Sequence, residues 1–215
     1  MATDRSGGSV VAVRSYGVLG GAFNPPHIGH LLLAQEAAYQ LDLDRVVLVP
    51  SGVAPHKRIE PEPGPEVRLE MTRLAAAGDD LLEVSDAEVR REGPSYSFRT
   101  LEELSAERPG EEILFLMGAD VAAHLESWKR PERVLELARI GVAGRPGTAL
   151  DEAEAALERL GAEERAEIVR MGEIAVSSTM IRRRVAQGGP VRYLVPDRVS
   201  ELIAERGLYR QAVPA

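Results

Sequence analysis

Tyr16-Gly17-Val18-Leu19-Gly20-Gly21-Ala22-Phe23-Asn24-Pro25-Pro26-His27-Ile28-Gly29-His30 is the stretch on which the reading of the fold turns. Tyr16–Leu19 is a short apolar, β-rich run that reads as a buried strand. The two glycines after it let the backbone turn sharply and come close to a ligand. The prolines suit the first turn of a helix that begins near His27, and Leu31, Ala34, Ala38 and Leu41 then fall on one helical face. A helix start carries free N–H groups and the positive end of the helix dipole, so strand, turn and helix together make a loop built to hold phosphate. His27 and His30 are three apart, which sets both imidazoles on the same side of the first turn, where two donors can follow one phosphate group through a reaction. The bland alternative is that one histidine caps the helix while the other packs. A metal site is a poor third reading, because two imidazoles without nearby carboxylates make a weak ligand set.

Working outward, Val46–Val49, Leu81–Val84, Ile113–Met117, Ile140–Ala143 and Glu173–Val176 also read as strands. Ser97–Ala106 and Leu150–Leu160 have helical periodicity. Alternation of this kind implies βα units around a doubly wound, mostly parallel sheet, whose ligand crevice lies beyond the carboxyl ends of the strands. One domain over 10–210 is expected, with frayed tails at 1–9 and 211–215. The proline- and glutamate-rich stretch Arg58–Glu66 reads as a mobile surface loop that could act as a lid.

Composition narrows the chemistry. The 215 residues contain no cysteine, which removes thiolate metal sites, disulfides and a cysteine nucleophile, and suits a reducing compartment. No apolar run approaches the ~20 residues of a membrane span, and MATDRSGGSV has no signal-peptide core. A soluble, cytoplasmic protein is expected, with no membrane partner. A net charge of −8 argues against a nucleic-acid partner. Any anionic ligand must be met by local positive groups, and Lys57 and Lys129 are the only lysines. Whether the chain forms a homo-oligomer is not legible.

A second segment, Ser177-Ser178-Thr179-Met180-Ile181-Arg182, opens another helix. Ser178 or Thr179 would cap it, and its free N–H groups with the Arg182 guanidinium would form a second phosphate clamp. A plain capped helix with solvated Arg182–Arg184 is the competing reading. The first loop is neither G-x-G-x-x-G nor G-x-x-x-x-G-K-[ST], which weakens dehydrogenase and kinase readings.

Together these two segments resemble the nucleotidyltransferase superfamily marked by a G-x-F-[DN]-P-x-H-x-G-H loop and a distal [IV]-S-S-T-x-[IL]-R helix start. From about Tyr16 to Arg210 the chain is similar to the bacterial nicotinate-nucleotide adenylyltransferases. The intermediate motifs are Val49-Pro50, Pro55-His56-Lys57, Pro94-Ser95-Tyr96-Ser97 leading to Thr100, Gly118-Ala119-Asp120 with Trp128, and Arg145-Pro146-Gly147. Tyr193-Leu194-Val195-Pro196 and Gly207-Leu208-Tyr209-Arg210 complete the series. Two departures are Ala22, where the family usually has threonine, and Asn24, where it often has aspartate.

The resemblance implies a Rossmann-like nucleotidyltransferase fold and adenylyl transfer from ATP to nicotinate mononucleotide, with Mg²⁺ carried by ATP. It implies catalytic roles for His27, His30 and Arg182. It places Gly20, Gly21, Ala22, Phe23, Lys57, Gly118, Asp120, Arg145, Ser178 and Thr179 around ATP. Asn24, Ser95, Tyr96, Thr100 and Trp128 would face the nicotinate nucleotide, with Trp128 as the stacking surface for the pyridinium ring. No dedicated protein metal ligand is implied. Other acceptors, such as nicotinamide mononucleotide or phosphopantetheine, and a nucleotide-sensing module without turnover, are the alternatives.

Overall fold

The structure is a computed structural model that describes residues 14–53, 61–144, 148–172 and 174–210. Six strands, β1 (Ser15–Gly21), β2 (Arg45–Pro50), β3 (Leu82–Val84), β4 (Glu112–Gly118), β5 (Arg139–Gly144) and β6 (Ala166–Arg170), form one sheet in the order β3-β2-β1-β4-β5-β6. Every pairing is parallel, so the mostly parallel sheet expected from sequence is wholly parallel among the described residues. The helices are α1 (Ile28–Leu41), α2 (Pro65–Ala76), α3 (Ala87–Arg90), α4 (Ser97–Glu107), α5 (Ala119–Ala122), α6 (Pro131–Leu137), α7 (Thr148–Arg159), α8 (Ser178–Ala186) and α9 (Asp197–Glu205).

The double winding is visible in the alternation of the strands. Tyr16, Val18, Val47, Val49, Ile113, Phe115, Ile140 and Val142 point to one face, where α4, α6 and α7 cover them. Leu19, Val46, Leu48, Leu114 and Leu116 point to the other, against Ala34, Ala37 and Ala38 of α1. A strand buried on both faces must be apolar at successive positions, which is why these runs are readable. A third cluster joins α2, α8 and α9 through Met71, Ile181, Val199 and Tyr209.

Strand order reverses between β1 and β4, so the crevice of this sheet opens between their carboxyl ends. The loop 22–27 leaves β1 there, and α5 begins directly after β4.

Two expectations need correction. The sixth strand is Ala166–Arg170, whereas Ile174–Val176 have no regular structure. As an edge strand β6 pairs only with β5 and carries mixed residues, so the more apolar run that leads into α8 mimics it. The loop expected over Arg58–Glu66 is anchored in its described part: Asn24 Nδ2 donates to the Pro61 carbonyl at 3.1 Å, Glu62 pairs with Arg68 at 2.8 Å, and α2 has begun by Pro65.

Candidate active site

The turn after β1 is made differently from the sequence expectation. Gly20 and Gly21 remain in the strand, opposite Val49 and Pro50, and the left-handed residue is Phe23, at φ 47°. Pro25 and Pro26 precede the helix, whose cap is His27. Ile28 N donates to the Leu194 carbonyl at 3.0 Å, Gly29 N to His27 Nδ1 at 3.2 Å, and His30 N to the His27 carbonyl at 2.9 Å. The N–H groups of this first turn are therefore spent within the protein, and the backbone donors expected of α1 are not free.

What α1 offers instead is imidazole. His27 N donates to His30 Nδ1 at 3.1 Å, so the two histidines form a reciprocal capping box. Each Nδ1 accepts from a backbone N–H, which places the remaining ring proton on Nε2 in both residues. The rings lie together with centroids 3.8 Å apart, and Phe23 flanks His30 at 4.8 Å. Burial lowers the His27 pKa to about 4, and burial with His27 alongside lowers that of His30 to about 3. Both are neutral near pH 7, and each Nε2–H is left as a donor. Capping and chemistry are thus compatible, since the cap uses one nitrogen of each ring. Gly29 leaves room for them: a Cβ there would sit 3.0 Å from His27 Nδ1, a tight contact that would press on the imidazole.

Helix α8 opens alongside. Ser177 caps it, accepting from Met180 N at 3.2 Å, one residue before the caps expected, because Ser178 is engaged elsewhere. Ser178 Oγ donates to the Pro25 carbonyl at 2.9 Å, and Arg182 Nη1 to the Asn24 carbonyl at 2.7 Å. Arg182 Nη2 also meets Thr179 Oγ1 at 3.2 Å. The two motifs, 153 to 158 positions apart, are one structure. The N–H groups of Ser178 and Thr179 donate to no described residue, so of the two helix starts expected to offer open backbone donors, only the second does so among the described residues.

Asn24 is wholly buried. Its amide is committed to Pro61 and, through Oδ1, to the Tyr209 hydroxyl at 2.5 Å. The structure therefore places Asn24 in the framework of the loop rather than on an open acceptor surface.

Arg68, to which the sequence reading gives no role, is 2% exposed. It donates to the Ala22 carbonyl at 2.8 Å and the Gly52 carbonyl at 2.9 Å, tying together the chain that follows β1 and β2. Its signal was an arginine on the buried stripe of α2, in register with Met71, Thr72 and Ala75. Gly52 must be glycine, because a Cβ would lie 2.2 Å from the Glu88 carbonyl oxygen.

At the end of β4, a Cβ on Gly118 would meet nothing, and Asp120 is exposed in the first turn of α5. Trp128 is half-buried, its ring edge-on to Phe115 at 6.0 Å. Tyr96 packs on the same core cluster. Ser95 and Thr100 are turned to support: Ser95 Oγ accepts from Gly52 N at 3.0 Å, while the buried Thr100 hydroxyl donates to Glu88 at 2.6 Å and accepts from Arg91 at 2.9 Å. Burial raises the Glu88 pKa despite those partners. Lys57 and Arg145 lie outside the described residues.

Sequence comparison matches residues 18–184 to the cytidylyltransferase-like family. A Roseiflexus protein described as "probable nicotinate-nucleotide adenylyltransferase" is 43% identical over 194 residues, 90% of this chain and 97% of its own. Similarly described proteins from Rubrobacter xylanophilus and Thermomicrobium roseum are 40% and 41% identical, each over 90% of this chain and 91% of their own. In fold, the chain resembles the Plasmodium falciparum nicotinic acid mononucleotide adenylyltransferase complexed with NaAD, with TM-score 0.74 at 14% identity, covering 91% of this chain and 97% of that one. The matched length, the joined loop and helix-start motifs and the parallel sheet agree: this chain belongs to the nicotinate-nucleotide adenylyltransferase family of cytidylyltransferase-like proteins.

Proposed function

We propose that the chain transfers AMP from ATP to nicotinate mononucleotide in NAD biosynthesis, releasing pyrophosphate. The observation that carries this reading is the pair of neutral imidazoles, each with Nε2–H to donate, at the end of a loop whose Asn24 carbonyl holds the Arg182 guanidinium. A phosphate oxygen of the acceptor, already ionised near neutral pH, forms a bond to the ATP α-phosphorus. The bond from that phosphorus to the oxygen bridging to the β-phosphate breaks, and its electron pair leaves with pyrophosphate. No general base is needed. Acceleration comes from in-line positioning and from donors aimed at charge that grows in the transition state.

His30 and His27 donate Nε2–H to the transferring and flanking phosphate oxygens. Arg182, with Thr179 and the open N–H groups of α8, meets the β and γ phosphates, and Lys57 adds a further phosphate contact. Ala22 lacks the hydroxyl usual in the family, so here the loop contributes through Gly20, Gly21 and Phe23. Asp120 accepts from the ATP ribose hydroxyls, Gly118 leaves room for the nucleoside, and Arg145 lies near adenine. Trp128 stacks on the pyridine ring, with Tyr96 beside it, while Ser95, Thr100 and Asn24 act by holding the walls.

Magnesium carried in by ATP would supply charge neutralisation on the phosphates, and no dedicated protein ligand is assigned to it. We assign the chain to the cytoplasm, the reducing compartment that a sequence without cysteine suits; no described helix is long and apolar enough to cross a membrane.

The reading is tested by incubating the full chain with ATP, Mg²⁺ and either nicotinate or nicotinamide mononucleotide while following pyrophosphate. Release with the nicotinate form, well above the nicotinamide form, is expected. Release with neither would overturn the substrate assignment.

A further inference from the structure

The Tyr209 side chain is buried at the far end of the sequence and lies at the centre of the phosphate-site framework. It follows α9 at φ 63°, a left-handed conformation uncommon for a residue other than glycine. It belongs to the cluster that joins α2, α8 and α9, and its oxygen lies 3.8 Å from Met71 Sδ. From there the hydroxyl reaches Asn24 Oδ1 at 2.5 Å, across 185 positions of sequence.

The direction of that bond is determined. The Pro61 carbonyl can only accept, so the Asn24 atom facing it is Nδ2. Oδ1 therefore faces Tyr209, and the phenol is the donor. The backbone carbonyl of Asn24 meanwhile accepts from Arg182 Nη1 at 2.7 Å. One buried residue thus receives the C-terminal segment and α8 and donates to the chain leading into α2, with the left-handed Phe23 immediately before it. Burial pushes the Tyr209 phenol up, with the nearby Arg182 opposing, so it stays protonated and donating at any working pH.

We propose that Tyr209 is a positioning residue for adenylyl transfer: its hydroxyl fixes Asn24, and through the Asn24 carbonyl it sets where Arg182 presents its charge to the ATP phosphates. This rests on Arg182 meeting those phosphates. It differs from simple core packing in predicting that one oxygen atom matters to ATP rather than to the fold alone. The junction depends on the Asn24 amide, since an ionised aspartate could still accept from Tyr209 but could not donate to Pro61.

The test uses Tyr209→Phe, which keeps the ring and removes the hydroxyl, in the full chain and in an Arg182→Lys background. Pyrophosphate release with ATP and nicotinate mononucleotide is measured beside Tm. Tyr209→Phe is expected to lower kcat/KM for ATP about tenfold, with KM for the acceptor changed less than about twofold. In the Arg182→Lys background the same substitution should cost less than about twofold, because its effect runs through the lost guanidinium. Equal costs in both backgrounds would overturn the proposal, as would a lowered Tm with ATP kinetics unchanged. Should the unmodified chain release no pyrophosphate with this acceptor, the reaction reading fails separately. Calorimetric ATP affinity of the same four proteins then decides the positioning claim: non-additive loss sustains it, and additive or no loss ends it.

Discussion

Helices α1 and α8 both begin with a side chain that accepts a backbone N–H of its own first turn, His27 from Gly29 and Ser177 from Met180. Both lie against the same short stretch, Asn24-Pro25. Yet α1 spends its N–H groups on Leu194 and on its own histidines, whereas α8 leaves those of Ser178 and Thr179 unpaired among the described residues and adds a guanidinium. The first start offers uncharged, preorganised donors and the second offers charge. A transferring phosphoryl group needs closely placed donors where negative charge grows, while a departing pyrophosphate needs countercharge. Under the proposed reaction, a division of labour between the two starts would follow from what each cap consumes.

The sharpest way to break this contrast is at α1. His30→Ala removes one aimed donor and the acceptor of His27 N, and should lower kcat by roughly 10²-fold or more, the scale for a lost preorganised donor. Steady-state pyrophosphate release checks it, and a change under about threefold would remove His30 from the transition state. At α8, Arg182→Ala should lower kcat/KM for ATP by roughly 10- to 100-fold, the range for one charge-assisted contact. Arg182→Lys should recover part of that loss, and the parent's ATP affinity should weaken with added salt as the α8 contact is screened.

The neutrality of the histidines gives a third test, in stability. Both native pKa values lie below the ordinary imidazole value of 6.5, at about 4 and about 3. Between about pH 3 and 6.5 the unfolded chain therefore binds more protons than the native one, His27 contributing down to about pH 4 and His30 down to about pH 3. Stability is full above that window and is lost as pH falls through it, by on the order of a few kcal/mol. Thermal denaturation from about pH 7 to about pH 4.5 should show the parent losing more Tm than His30→Asn, whose amide oxygen can still accept from His27 N but does not titrate. Parallel curves would mean that these rings are not neutral in the native state.

Much of this was legible in the chain because it is local. The β1 loop and the start of α8 are contiguous segments, and strands covered on both faces read as apolar runs. What escaped is non-local or marginal. Edge strand β6 lacks the apolar run of its neighbours, and Arg68 sits in a helix that the sequence reading missed. Its partners Ala22 and Gly52 are 46 and 16 positions away. The partner of Asn24, Tyr209, is visible only once α9 has folded back across α2 and α8. That Ser177 caps α8, and not Ser178 or Thr179 as the sequence suggests, had no sequence answer either. It is decided by the Pro25 carbonyl, an acceptor brought close by folding.

That last contact defines the smallest effect. Ser178 Oγ is half-buried and gives its proton to Pro25, while Ser177 keeps the cap and Arg182 keeps Asn24. Ser178→Ala should therefore cost about 1 kcal/mol, the net worth of one neutral hydrogen bond. In a chain of this length that corresponds to a Tm lower by roughly 2–4 °C. ATP kinetics should change by less than about threefold, because the open N–H of residue 178 survives the substitution and a backbone donor does not depend on the side chain it carries. A loss approaching that of Arg182→Ala would mean instead that the hydroxyl itself reaches phosphate, and that α8, like α1, works through side-chain donors rather than through its backbone and its charge.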